Sequence, residues 1–415
     1  MAETGFSDKE IILLDGGLGT HLRALGAEFK GDPLWASRAV ISSPELVRRA
    51  HFDFFKAGAD VAITATYQAS LSGFAHMGLP PSKAAEYVQL AIILADEARQ
   101  LVASGALPAG SVDEEKENLA HSGPEGRSTS CAGACELCEA ESDRFSDERV
   151  SEQKLRKRKV IVSNGSYGAS LGGGAEYRGN YGVSEAALKD YHRWRLQAAM
   201  QVEHLIGGVV FETVPESCEA KAIVSLLREF PAFRGRSWLA FTCKSGTELA
   251  SGEDFRSVVA DVLREDAPHS SISGIGVNCS PTSATIPLLC TPPLLDAVAP
   301  ALEKTRDPRS CHVLCYPNNE PRHHHEGETA AGIQDLVERS PCLCAAAAKP
   351  CDGQTHSLGP TSRCPHHLAE TVHHPLARRV PAWLEGGVTA VGGCCGTSPE
   401  DLRAIHAVLQ RLGAR

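Results

Sequence analysis

A chain of 415 residues with 42% apolar and 22% charged residues has the make-up of a folded globular protein, not of a disordered, collagen-like or coiled-coil one. Its formal charge of −10 argues against nucleic acid or an anionic membrane surface as the main partner. No run approaches the roughly 20 apolar residues that span a bilayer, and Met1-Ala2-Glu3-Thr4-Gly5 lacks the basic start of a signal peptide, so a cytoplasmic location is expected.

Short β-branched runs alternate with helical patterns along the chain. Ile11 to Asp15 is followed by the helical stretch Pro44 to Ala57, Val61 to Thr64 by Ser82 to Ala103, and Val160 to Asn164 by Ser184 to Glu203. Val209 to Glu212 precedes Glu216 to Glu229, Trp238 to Thr242 precedes Asp254 to Glu265, and Gly274 to Asn278 precedes Ile286 to Glu303. His312 to Tyr316 comes next, then Val388 to Val391 with the helix Pro399 to Arg411. Several runs are apolar on successive residues, as strands covered on both faces of a parallel sheet must be. Asp, Ser, Thr or Pro stands near many helix starts, as N-capping requires.

Eight strands alternating with helices predict an α/β fold, a (β/α)8 TIM barrel over residues 8–412, with a doubly wound open sheet as the competitor. In such a barrel the chemistry sits at the C-terminal strand ends. Asp15, Thr66, Asn164, Glu212, Thr242, Cys279 and Asn318 fall at or just past those ends, as do Cys394 and Cys395. Two segments interrupt the single domain. Residues 107–157 are rich in Glu, Ser, Gly and Lys and predict a disordered insertion; residues 321–381, rich in Cys and His, predict an irregular one with a short helix near 332–340.

The chain has 15 cysteines, an odd count in a compartment where thiols stay reduced, which points to metal ligation or burial instead of a disulfide scaffold. Cys218, Cys243 and Cys290 read as small buried hydrophobes. Gly392-Gly393-Cys394-Cys395-Gly396 is different. Adjacent cysteines pair poorly with each other, whereas flanking glycines let two successive sulfurs face one ion. Cys279, ending the sixth strand, can reach the same mouth. Three thiolates and an open position describe a catalytic zinc site. Its negative charge keeps a bound thiolate electron-rich, which suits alkylation of sulfur better than hydrolysis. Cys131, Cys135 and Cys138 are candidate ligands for a second metal, together with histidines of the other Cys/His-rich segment; the competing reading is an unstructured insertion, since a zinc site usually needs four ligands. From the residues alone, a non-catalytic metal-binding or redox-sensing barrel is the competing reading.

Seven motifs in order resemble the homocysteine S-methyltransferase family, nearest its S-methylmethionine-using members. They are Leu14-Asp15-Gly16-Gly17-Leu18-Gly19-Thr20, Asp60 to Gln68, Glu176-Tyr177-Arg178-Gly179-Asn180-Tyr181, Phe211-Glu212-Thr213, Gly276-Val277-Asn278-Cys279, Tyr316-Pro317-Asn318 and Gly392 to Gly396. The resemblance implies a barrel binding one Zn2+ through Cys279, Cys394 and Cys395, with L-homocysteine sulfur as fourth ligand. It also implies that Asp15 and Glu212 hold the substrate ammonium, a role paired carboxylates suit, and that Gly16, Gly17, Thr66 and Asn278 line the substrate pocket.

The methyl donor is expected to be S-methylmethionine, or S-adenosylmethionine, because Asp32-Pro33-Leu34-Trp35-Ala36-Ser37-Arg38 resembles those members; betaine is the alternative. Trp35, Tyr67, Tyr167 and Tyr177 are candidate aromatic walls for the donor's onium group. A departure at Gly165-Ser166-Tyr167, where the family often has Gly-Pro-Tyr, frees a loop dihedral beside that pocket. Another thiol or a selenol is the alternative acceptor.

Overall fold

The computed structural model describes residues 10–29, 31–108, 157–302, 307–319 and 374–415. Cys131, Cys135, Cys138, the His323-His324-His325 run and the expected helix near 332–340 lie outside them.

Eight parallel strands form a nearly closed barrel: β1 (Ile12–Leu13), β2 (Val61–Ile63), β3 (Lys159–Gly165), β4 (Gly208–Val214), β5 (Ser237–Phe241), β6 (Ile272–Asn278), β7 (His312–Tyr316) and β8 (Ala390–Val391). They pair in the order β1-β8-β7-β6-β5-β4-β3-β2. Side-chain alternation explains the unbroken apolar runs. Val210, Trp238 and Ala240 point into the barrel with Ile12, Leu14 and Leu314, whereas Val209, Phe211, Leu239 and Phe241 point out to the helices. Both phases are therefore apolar.

Between β1 and β2, aspartate side chains do part of the work of a ladder. The Asp60 backbone N–H donates to Leu13 O at 2.7 Å, and the Leu13 N–H donates to Asp60 Oδ2 at 2.7 Å. The Ile63 N–H donates to Asp15 Oδ2, also at 2.7 Å. The barrel wall is closed there by two carboxylates, one of them a predicted site residue.

Helices Pro44–Lys56, Pro81–Ser104, Glu185–Met200, Ser217–Leu227, Phe255–Asp266 and Pro399–Arg411 follow the expected stretches within a few residues. Ser184, Asp254 and Ser398 cap theirs by accepting from backbone N–H groups three residues on. The stretch expected as one helix over Ile286 to Glu303 instead breaks into Thr282–Leu289, Leu294–Val298 and a 3-10 turn Ala299–Leu302. Pro292 and Pro293 cause the break, since neither can donate to a helical carbonyl. Within the span 321–381, Leu376, Ala377 and Val380 are buried in the core, and helix Val380–Glu385 begins there. Among the described residues, no helix is long and apolar enough to cross a membrane.

Candidate active site

The predicted ligands Cys279 and the adjacent Cys394 and Cys395, 115 residues further along the chain, meet at the C-terminal mouth. Their sulfurs all lie within 4.8 Å of one another. Cys279 and Cys394 are paired as a disulfide with Cα atoms 5.5 Å apart, and Cys395 Sγ lies 3.7 Å from Cys279 Sγ. A tetrahedron with metal–sulfur arms of about 2.3 Å has edges of about 3.8 Å. The donor set therefore fits a zinc ion once the Cys279–Cys394 pair is reduced. Burial, with a smaller push from Glu176, raises the Cys395 thiol to about 11, while Arg23 opposes the rise. Without a cation this sulfur stays protonated at neutral pH.

The end of β7 holds the two cysteine loops together. The Cys279 N–H donates to Tyr316 O at 3.3 Å, the Cys394 N–H to Pro317 O at 2.8 Å, and the Asn319 N–H to Cys395 O at 2.9 Å. Cys279 has φ +44, a strained left-handed conformation for a side chain with a Cβ. The first loop also packs on this cluster. A Cβ on Gly17 would stand 2.5 Å from Cys394 O, and one on Gly16 would stand 2.6 Å from the Phe54 ring. These two glycines permit a close approach that no other residue would allow, so they act by shape.

Asp15 and Glu212 are 2% and 7% exposed. Burial pushes the Asp15 carboxyl well above the ordinary range; the Ile63 N–H opposes this and the Glu212 charge adds to it. Burial pushes Glu212 up to about 7, against the Ser163 hydrogen bond and the nearby Tyr316 hydroxyl. Ser163 Oγ donates to Glu212 Oε1, and the Tyr316 hydroxyl lies beside the carboxylate without a well-aligned bond. Among the described residues, no cation forms a salt bridge with either carboxylate.

The other predicted residues divide by what they touch. Thr66 is buried, donating to Ser163 O at 2.7 Å and paired with Thr64 Oγ1 at 2.7 Å. Asn278 gives both ends of its amide to Thr213: Oδ1 accepts from the Thr213 N–H at 2.7 Å and Nδ2 donates to Thr213 Oγ1 at 2.9 Å. Thr213, at φ +59, follows Glu212 directly, so Asn278 holds the turn that aims the carboxylate. Tyr177 lies by the cysteines and Tyr67 by Thr213 and Glu212: burial raises both hydroxyls, Glu176 acts on each, and Cys395 acts on Tyr177. Trp35 packs edge-on against Phe29 at 5.2 Å, with Arg23 5.5 Å from its ring centroid. Tyr167 instead joins an aromatic group with Tyr181 and Tyr191, at 5.4 and 5.2 Å. Glu176 and Arg23 had no role in the sequence reading. Glu176 stands in a quoted motif, whereas Arg23 gave no signal. Cys218, expected as a buried residue, is exposed, its thiol donating to Glu216 Oε1 at 3.0 Å.

Comparison with known proteins agrees with this geometry. Residues 12–409 match the family model for homocysteine S-methyltransferase. Homocysteine S-methyltransferase YbgG of Bacillus subtilis is 29% identical over 404 residues, covering 97% of this chain and 95% of that protein. Selenocysteine Se-methyltransferase of Brassica oleracea var. italica is 28% identical, covering 98% of this chain and 92% of that one. Among solved structures, the homocysteine methyltransferase MmuM from Escherichia coli in its metallated form superposes with a TM-score of 0.61 at 25% identity, over 96% of each chain. Its oxidized form gives the same TM-score over 97% and 96%. These matches define a methyl-transferring enzyme built on a (β/α)8 barrel. The chain belongs to the homocysteine S-methyltransferase family, whose chemistry is methyl transfer to homocysteine. Family membership sets aside the non-catalytic sensor.

Proposed function

We propose that the enzyme methylates the thiolate of L-homocysteine at a zinc ion held by Cys279, Cys394 and Cys395, with S-methylmethionine as donor. The convergence of three sulfurs beside two buried carboxylates carries this reading. Zinc bound there would hold the substrate thiol as a thiolate at neutral pH.

The chain's own groups do the rest. Asp15 commits one oxygen to Ile63, and with Glu212 it receives the substrate ammonium. Binding that cation returns both carboxyls to the charged form. Asn278, through Thr213, and Ser163 fix where Glu212 points. Tyr67 and Tyr177 form part of the wall over the sulfur and keep water from it. The thiol proton leaves to solvent before transfer. The homocysteine sulfur then forms a bond to the donor methyl carbon as the carbon–sulfonium bond breaks, so the donor's positive sulfur becomes a neutral thioether and two methionines result. Charge is neutralised in this step, which asks for alignment and a dry pocket instead of an acid–base pair.

Reduced thiols are needed throughout, which fits a cytoplasmic setting. A selenolate is the second acceptor to test, given the relative named for selenocysteine methylation.

Metal analysis combined with a donor panel tests the proposal. The wild type should carry about one zinc per chain and form methionine from homocysteine with S-methylmethionine, ahead of S-adenosylmethionine and betaine. Cys394→Ala should lose metal and turnover together; unchanged zinc and unchanged rate in that variant would remove the assignment.

A further inference from the structure

An amino-acid onium donor brings a carboxylate as well as a cation, and Asp15, Glu212 and Glu176 offer that anion no partner. Something on the rim has to receive that anion. The short helix Leu18–Ala24 leaves the Asp15-Gly16-Gly17 turn and lies against the cysteine loop, where the Gly396 N–H donates to Thr20 Oγ1 at 3.1 Å. On a helix, residues three and four apart share a face. Arg23 is three residues on from Thr20 and four on from Gly19. The Gly19 position is filled by Trp35, since a Cβ there would stand 2.4 Å from the indole. The Arg23 guanidinium accordingly lies over that indole, 5.5 Å from the ring centroid.

Two further observations set this pair apart from ordinary surface packing. Trp35 has φ +40, a conformation that a bulky residue rarely adopts and that aims the ring. Arg23 is exposed, and among the described residues no carboxylate forms a salt bridge with it. The guanidinium is oriented by a ring and left without an anion.

Depth decides which substrate it meets. Cys279, Asp15 and Glu212 are all buried. An acceptor whose sulfur must reach the cysteines fills that inner level. In-line displacement then puts the methyl donor on the outer side of the acceptor sulfur. The rim, where Arg23 sits, belongs to the donor.

We propose that Arg23, held over Trp35, is a specificity-determining residue that receives the α-carboxylate of an amino-acid onium donor. This rests on the onium-donor reading above. Arginine suits the task because its planar fork matches a carboxylate with two parallel hydrogen bonds. Its exposure makes the contact sensitive to salt.

The test compares S-methylmethionine with its carboxamide, identical except for the anion, in wild type, Arg23→Gln and Arg23→Lys, by steady-state kinetics in which each substrate is varied with the other saturating. The wild type should prefer the carboxylate donor by about fivefold in kcat/KM, the upper end for an exposed charge-assisted contact. Arg23→Gln should bring that preference to within about twofold, Arg23→Lys should keep part of it, and the KM for homocysteine should stay within about twofold in both. Raising ionic strength to about 0.5 M should shrink the wild-type preference. A preference unchanged in Arg23→Gln overturns the proposal, as does a homocysteine KM that rises in step with that of the donor. A wild type that converts both donors equally well defeats the Arg23 assignment alone. A wild type that converts neither defeats the donor reading, and this proposal with it.

Discussion

Replacing Asn278 with alanine removes a side chain whose amide is spent on Thr213, and it should impair both stability and substrate binding. The lost amide makes two hydrogen bonds to Thr213, at 2.7 and 2.9 Å, in a region where both residues are essentially buried. Each such bond contributes about 1 kcal/mol net, and a buried N–H left unpaired costs about 1–3 kcal/mol. Thr213 also loses what holds it at φ +59, a conformation with its own cost of about 1 kcal/mol or more. The folded state should therefore lose about 2–4 kcal/mol, a large share of the 5–15 kcal/mol typical of a domain. Relaxation of Thr213 moves its neighbour Glu212, so the KM for homocysteine should rise about tenfold or more, with the donor KM affected less. Urea unfolding monitored by circular dichroism gives the first quantity and initial-rate kinetics the second. A midpoint shift worth less than about 0.5 kcal/mol, together with an unchanged homocysteine KM, would falsify the idea that Asn278 acts by holding the β4 end.

Gly17→Ala should lower zinc content and turnover together, because the new methyl would collide with the Cys394 carbonyl 2.5 Å away; metal analysis by mass spectrometry reads this directly. The backbone at Gly17 has φ −70, so the effect is steric and not torsional. Glu212 should make homocysteine binding depend on pH. Its carboxyl is held up to about 7, so the charged form that binds an ammonium is lost as pH falls through that value. Affinity should drop by up to about tenfold per unit below it, and Glu212→Gln should bind weakly with a flatter profile in calorimetric titrations. His51 governs part of the acid sensitivity of the fold. Burial lowers its pKa from 6.5 to about 3, and neither ring nitrogen has a hydrogen-bond partner. The unfolded chain takes up a proton that the folded one refuses, so this contribution is complete above pH 6.5 and is lost progressively from there toward pH 3. Between pH 7 and pH 5 the loss is about 2 kcal/mol. His51→Leu should unfold with a visibly smaller difference in urea midpoint between pH 7 and pH 5.

The strands were legible because a two-sided parallel sheet leaves an unmistakable apolar trace. Val209 to Glu212 and Trp238 to Thr242 could be read for that reason, and Glu212 continues the inward series two residues after Val210. The vicinal cysteines were legible through their glycines. Boundaries such as the break at Pro292-Pro293 were harder, since an apolar run with helical spacing hides a turn that the prolines then impose. Residues acting through other residues left the weakest signal. Asn278 sits in a quoted motif, but nothing in Gly276-Val277-Asn278-Cys279 says that its amide is spent on Thr213, 65 residues earlier. The Tyr316–Asn319 stretch likewise holds two cysteine loops through backbone groups, which every sequence carries and none advertises. Arg23 became visible only when helix Leu18–Ala24 laid it over Trp35.

Asp15 has two employers: one oxygen closes the gap between the first and second strands, and the same side chain is proposed to dock the acceptor's amine. A mutation that retunes acceptor choice at this position also loosens the wall of the scaffold, so drift there is penalised twice. A change of substrate range is therefore better engineered in the outer loops, where a residue can be exchanged without undoing the joint between staves.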